Sequence, residues 1–194
     1  TRDKCLFIHR DENGNPDSFL GTHVDDGIIV SKNEEIFNQL IRDLKDQGSE
    51  LNPMLGSWGE LDYVLGLDVN IYRVGEGVEI SLSLRSAVEV LIEQHCPDAK
   101  PISTPALPKR IPKPKDAKSL EEEIAQSKFP YQSIVGALLY ISISARPDIA
   151  FAVGAAAAHN HDYRAPARKA VIRILRYLKG TLDKWLTIKI HNLP

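Results

Sequence analysis

The sequence predicts an α+β chain in which antiparallel hairpins come first and helices follow. Apolar runs punctuated by Asn- and Gly-containing turns occupy the stretch up to Leu82, the pattern of short strands joined by tight connections. From Pro130 onward the apolar residues recur at helical spacing. Between the two lie six prolines from Pro97 to Pro114, and so dense a run fits neither a sheet interior nor a helix interior.

In chain order, Cys5–Ile8 is an apolar strand, and Asp11-Glu12-Asn13-Gly14-Asn15-Pro16 is a turn in which Asn13-Gly14 supplies positive φ angles. Phe19–Val24 and Ile28–Val30 are the next strands, with Asp25-Asp26-Gly27 between them. Asn33 is placed to cap a helix whose first turn carries Glu34 and Glu35; Ile36, Phe37, Leu40, Ile41 and Leu44 share one face and Gly48 ends it. After a Gly/Pro/Ser-punctuated loop over 49–60, Tyr63–Tyr72 reads as a strand, and Val74-Gly75-Glu76-Gly77 turns it into a second, Val78–Leu82. Ser83 or Ser86 caps a helix running to about His95.

Residues 97–128 form an extended connector, basic at Lys109, Arg110, Lys113 and Lys115, so the domains divide as 1–96, 97–128 and 129–194. The last part is read as all-helical up to a final alternating strand, Trp185–Ile190. Ile134, Val135, Ala137, Leu138, Leu139 and Ile141 are apolar nearly all round, which predicts a buried helix. Pro147 opens a small-residue helix through Ala158. Pro166 opens another, its apolar stripe formed by Ala167, Ala170, Val171, Ile174, Leu175 and Leu178, with Lys169, Arg173 and Arg176 on the opposite face and Gly180 at its end.

With 43% hydrophobic and 26% charged residues the 194-residue chain has an ordinary globular composition. It has no apolar run of the roughly 20 residues needed to span a membrane. Two cysteines, Cys5 and Cys96, make no disulfide framework, which points to the cytoplasm. His159 and His161 lack partners at a recognised zinc spacing. The chain opens directly in strand-like sequence, as a segment of a longer protein does. Its net charge of −2 conceals a gradient: residues 1–98 carry 8 Lys/Arg against 19 Asp/Glu, and residues 162–194 carry 8 against 2. The basic end suits phosphates or is simply a solvated helix face.

His23-Val24-Asp25-Asp26-Gly27 sets two adjacent carboxylates at a turn between apolar strands. Phosphoryl transfer with two divalent ions needs carboxylates held rigidly, because Mg²⁺ takes oxygen ligands in strict geometry. Asp-Asp-Gly is equally a common hairpin turn, and the pentapeptide alone leaves both readings open.

Several boxes in order resolve the choice by resemblance. Lys4-Cys5-Leu6-Phe7, His23-Val24-Asp25-Asp26, Gly59-Glu60-Leu61-Asp62-Tyr63-Val64-Leu65-Gly66-Leu67, Thr104-Pro105, the stretch Tyr131–Val153 and Arg173–Thr181 together resemble the reverse transcriptase of copia-type (pseudovirus) retrotransposons. The resemblance implies part of a right-hand polymerase: a partial palm over 1–96 with an active-site hairpin and a primer-grip-like hairpin, then a helical thumb or connection region ending before ribonuclease H. It implies Asp25 and Asp26 as catalytic ligands of Mg²⁺ (or Mn²⁺), and His23, Leu65, Gly66, Lys169, Arg173 and Arg176 as nucleic-acid contacts. The partners implied are an RNA template, a DNA primer, dNTP and the remainder of the polyprotein (fingers and ribonuclease H), in a cytoplasmic virus-like particle. His23 stands where the family has Tyr, Gly27 where it has Leu, and Asp62 places an acid where primer backbone passes. The isolated chain is expected to be inactive. The runner-up is a non-catalytic nucleic-acid-binding or interaction module derived from that polymerase.

Overall fold

The computed structural model describes residues 4–24, 26–46, 59–106, 111–112, 128–161 and 163–191. The chain divides into two compact units, Thr1–Leu65 and Gly66–Pro194. The architecture is α+β with antiparallel sheets and, among the described residues, five α-helices.

The first unit is built on a meander of β1 (Leu6–Arg10), β2 (Pro16–His23) and β3 (Asp26–Ser31). Its first turn, Asp11–Pro16, differs from the expectation that both Asn13 and Gly14 take positive φ. Only Gly14 is left-handed, at φ +82°. The loop is instead held by the Asp11 side chain, which accepts the backbone N–H groups of Asn13 and Asn15 at 2.9 and 2.8 Å. A connection this long is organised by a side chain mimicking a backbone turn. The register pairs Phe7 with Leu20 with Ile29, and Ile8 with Phe19 with Val30. Alternate rows therefore face opposite sides. Helix α1 (Glu34–Asp46) packs on β2 and β3. The Asn33 side chain accepts the Ile36 N–H at 2.9 Å, so the expected cap forms. The expected helix end at Gly48 and most of the 49–60 loop lie outside the described residues. A short strand, β4 (Tyr63–Val64), closes the unit.

The expected continuous strand from Tyr63 to Tyr72 is broken at Leu65-Gly66, where both residues have positive φ. Two successive left-handed residues make a tight turn rather than a bulge. In the second unit β5 (Leu67–Val74) and β6 (Gly77–Ser83) form a hairpin, and α2 (Arg85–His95) follows, with Ser83 Oγ accepting the Arg85 N–H at 3.1 Å. Helix α3 (Tyr131–Ser144), a 3₁₀ turn (Pro147–Ile149), α4 (Ala150–Ala157) and α5 (Ala165–Lys179) come next. The core is one cluster in which Ile134, Val135 and Leu138 of α3 meet Val153 and Ala156 of α4, Val171, Ile174, Leu175 and Leu178 of α5, and Val88 and Ile92 of α2.

The final strand expected at Trp185–Ile190 forms as β7 (Leu186–Ile190), so the region after 129 is all-helical only up to that strand; β7 pairs antiparallel with β6, whose outer edge otherwise leaves backbone donors and acceptors unpaired. One expectation needs correction here: α3 is not buried all round. Leu139, Tyr140 and Ile143 face outward together with Phe151 of α4, the last two being 81% exposed. The helix touches its neighbours on one side only, and composition cannot say which.

Candidate functional site

The β2–β3 hairpin closes with His23 paired to Asp26, and Val24 follows His23 at its turn; Asp25 lies outside the described residues. Val24 sits at φ +51° with 84% of its surface exposed. A β-branched residue in the left-handed region is an outlier costing on the order of 1–2 kcal/mol, and an exposed side chain recovers none of that by packing. Val24 and Leu65 are the only non-glycine residues with positive φ among those described. Both lie in the boxes that the sequence singles out.

The two boxes meet. Leu6, Gly21, His23, Asp26, Ile28, Val64 and Leu65 line a groove of about 300 Å³ within the first unit. The register explains why. The rows Leu6–Gly21–Ile28 and His23–Asp26 are two apart in the ladder and share one sheet face. The Asp26 carboxylate is exposed, and no hydrogen bond or ion pair engages it among the described residues. Carboxylate oxygen is the donor type that Mg²⁺ takes, but among the described residues no group of three or more His, Cys, Asp or Glu side chains stands together to hold such an ion. Gly66 opens the second unit at φ +82°, and a Cβ there would lie 3.7 Å from the Tyr140 hydroxyl.

Of the basic residues of α5, Lys169 is exposed. Arg173 and Arg176 are half-buried and bond to the chain itself. Arg173 Nη2 donates to Thr104 Oγ1 at 2.7 Å and Arg176 Nε to the Lys100 carbonyl at 2.7 Å. The reason is that the connector runs across this helix face and its acceptors occupy the donors. Connector residues Lys109, Arg110, Lys113 and Lys115 lie outside the described residues.

A second polar centre was missed at the level of roles. Arg146 is 5% exposed, and its Nε and Nη2 donate to the two carboxylate oxygens of Asp148, each at 2.9 Å. Its Nη1 and Nη2 also reach the Thr181 carbonyl and hydroxyl at 3.0 and 2.7 Å. The Tyr177 hydroxyl donates to Asp148 at 2.6 Å and accepts from Lys184 Nζ at 3.0 Å. Burial raises the Asp148 carboxyl, but the Arg146 and Tyr177 hydrogen bonds and the charges of Arg146 and Lys184 outweigh it, holding the group below its ordinary value. The signal was present: Arg146-Pro147-Asp148 and Tyr177–Thr181 lie in two of the boxes that carry the resemblance. Their spatial union is what supplies the role, a clasp tying the 3₁₀ turn to the end of α5.

By sequence the chain is a homologue of part of the retrovirus-related Pol polyproteins of copia-type retrotransposons. It is 32% identical over 181 residues to the retrovirus-related Pol polyprotein from transposon TNT 1-94 of Nicotiana tabacum, covering 92% of this chain and 13% of that protein. It is 28% identical over 190 residues to the retrovirus-related Pol polyprotein from transposon RE1 of Arabidopsis thaliana, covering 98% of this chain and 12% of the polyprotein. An uncharacterized mitochondrial protein of Arabidopsis thaliana is 29% identical over 174 residues, which are 88% of this chain and 65% of that protein. The chain thus spans about an eighth of the length of the two polyproteins. No protein-family model matches it, and no solved structure does.

Proposed function

We propose that the chain is part of the RNA-directed DNA polymerase domain of a copia-type retrotransposon, with the first unit contributing to the palm and the helices of the second to the thumb or connection. The observation that carries this reading is the strained, exposed tip at Val24, set beside a groove shared by Asp26 and Leu65. Strain at a turn that packing does not repay is a mark of a functional constraint, and here it falls on the box whose carboxylates the chemistry requires. Asp25 and Asp26 would hold Mg²⁺ or Mn²⁺, which when bound stabilises the charge that develops as a dNTP is joined to the primer. His23 and Leu65 stand on the groove where template and primer pass. Gly66 keeps the following turn tight, and Lys169 offers a phosphate contact.

Mn²⁺ titration followed by NMR tests the reading. The His23, Asp26 and Leu65 resonances should broaden first, and Asp26→Asn should abolish the effect. Broadening centred elsewhere, or unchanged by that substitution, would sink it. One hairpin carries fewer carboxylates than two metal ions demand, so the 194-residue chain alone should show no primer extension on an RNA template. Template-dependent incorporation above a blank would show a complete site. A second reading, a non-catalytic nucleic-acid-binding or interaction module of the same descent, is favoured by the relative of which this chain covers 65%, since there the segment makes up most of a protein. Mn²⁺ binding at Asp26 separates the two readings.

A further inference from the structure

The cations of α5 are covered by a segment of the chain's own connector, and that covering has properties that make it removable. Arg173, Arg176 and Lys179 rise along one side of the helix. They donate in turn to Thr104 Oγ1, the Lys100 carbonyl and the Pro97 carbonyl. All three acceptors are neutral. One N–H of each cation is thus paired, and no carboxylate among the described residues forms an ion pair with any of the three. Arg173 is satisfied only in part, because its shielded Nε finds no acceptor among those residues.

The segment has little else to hold it. It is neither helix nor strand, and its one backbone bond to the helix, Ile102 N–H to the Arg176 carbonyl, is long at 3.4 Å. Only Ala99, Ile102 and Ala106 pack against the core, each partly buried. It lies close because Gly180 allows it: a Cβ there would stand 3.0 Å from the Pro101 Cβ and 3.4 Å from the Ile102 carbonyl oxygen.

We propose that residues 97–106 form a displaceable strap over the cationic side of α5, and that the phosphates of a nucleic acid take Arg173, Arg176 and Lys179 by lifting it. The occupant rests on the nucleic-acid reading above; the strap itself does not. A phosphate oxygen is the stronger acceptor, since a hydrogen bond between two ionised partners is roughly twice as strong as a neutral one. It also supplies the negative charge that the carbonyls lack. Because the strap lies over this side of the helix, a phosphate that takes the N–H groups it holds must displace it, so weakening the strap should strengthen binding. In that respect the strap differs from an ordinary surface contact.

The experiment uses the full 194-residue chain, an RNA–DNA hybrid, and heparin as a non-nucleic polyanion. Binding is read by anisotropy at low salt and strap opening by amide exchange over 98–104. Thr104→Val removes one acceptor at an exposed position, and Gly180→Val crowds the strap without touching a donor. Thr104→Val should bind the hybrid about three- to tenfold more tightly than wild type, the range expected when one hydrogen bond to a charged group no longer has to be broken at a partly solvated site, and Gly180→Val should shift binding in the same direction. Arg173→Gln with Arg176→Gln should bind more weakly. Hybrid binding should speed exchange at Ile102. Tight binding with Ile102 exchange unchanged or slowed, or both strap variants binding as wild type does, overturns the proposal. Absence of hybrid binding by every variant overturns the nucleic-acid reading, and heparin then decides the strap separately: faster Ile102 exchange upholds its displacement, unchanged exchange refutes it.

Discussion

Val24 holds a conformation that its β-branched side chain disfavours, and its exposure removes any packing account. Val24→Asn should therefore stabilise the β2–β3 hairpin by about 0.5–1 kcal/mol, since Asn tolerates the left-handed region. Amide exchange across Thr22 and Ile28 in graded urea measures it, and a loss of protection would mean the turn is unstrained. At Asp148 the consequence is a pH dependence. A carboxyl whose folded pKa lies below its unfolded value contributes stability that is complete above about pH 4. That contribution is lost as the pH falls through the lowered folded value. Asp148→Asn should cost about 2–3 kcal/mol at pH 7, because the buried Arg146 keeps its charge and loses its carboxylate partner. The variant should also show a flatter loss of stability between pH 5 and pH 2, by urea titration at each pH.

At the level of elements, the second sheet depends on a strand that arrives from the far end of the chain. Strand β7 lies on β6 with Ile190 opposite Val78, Ile188 opposite Ile80 and Leu186 opposite Leu82. A cross-strand ion pair joins Lys189 to Glu79 at 2.6 Å, and the Ser81 and Thr187 hydroxyls meet at 3.0 Å. The approach is closest at Gly77, where a Cβ would stand 2.6 Å from the Ile190 carbonyl oxygen. Backbone cannot swing aside as a side chain can. Gly77→Ala should thus displace the end of β7, costing about 1–3 kcal/mol as over-packing does. Faster amide exchange over 186–190, with β5 still protected, is the expected signature; an unchanged exchange pattern would show that the strand end has room to move.

For the whole molecule, the distribution of core is uneven. Every fully buried hydrophobic side chain among the described residues lies at Val69 or beyond, whereas all five residues of β1 are exposed. Marginal stability rests on buried apolar area, so the second unit should be the stable one. Residues 66–194 expressed alone should unfold cooperatively within a few degrees of the main thermal transition of the full chain. Residues 1–65 alone should show little protection from amide exchange. Equal stability of the two pieces would contradict this account of where the core lies.

Much of the fold was legible because it is written in local patterns. Period-two and period-3.6 spacing placed the strands of the first meander, α1 with its Asn33 cap, and the helices after Pro130, each within a few residues. The homology to copia-type Pol polyproteins was legible too, carried by boxes short enough to read in the linear chain. Tertiary structure alone decided which surfaces those elements spend on each other. Helix α3 reads as buried on all sides, yet it leaves Ile143 open, because only neighbours distant in sequence determine a buried face. The strand at Tyr63 reads as continuous, yet it turns at Leu65-Gly66 because two left-handed residues redirect the chain. Arg173 and Arg176 read as phosphate contacts or a solvated stripe, but a guanidinium bonds whichever acceptor the fold brings to it. Here that acceptor is the connector, some seventy residues earlier in the chain, and a hydrogen bond of that range leaves no periodicity for a sequence to show.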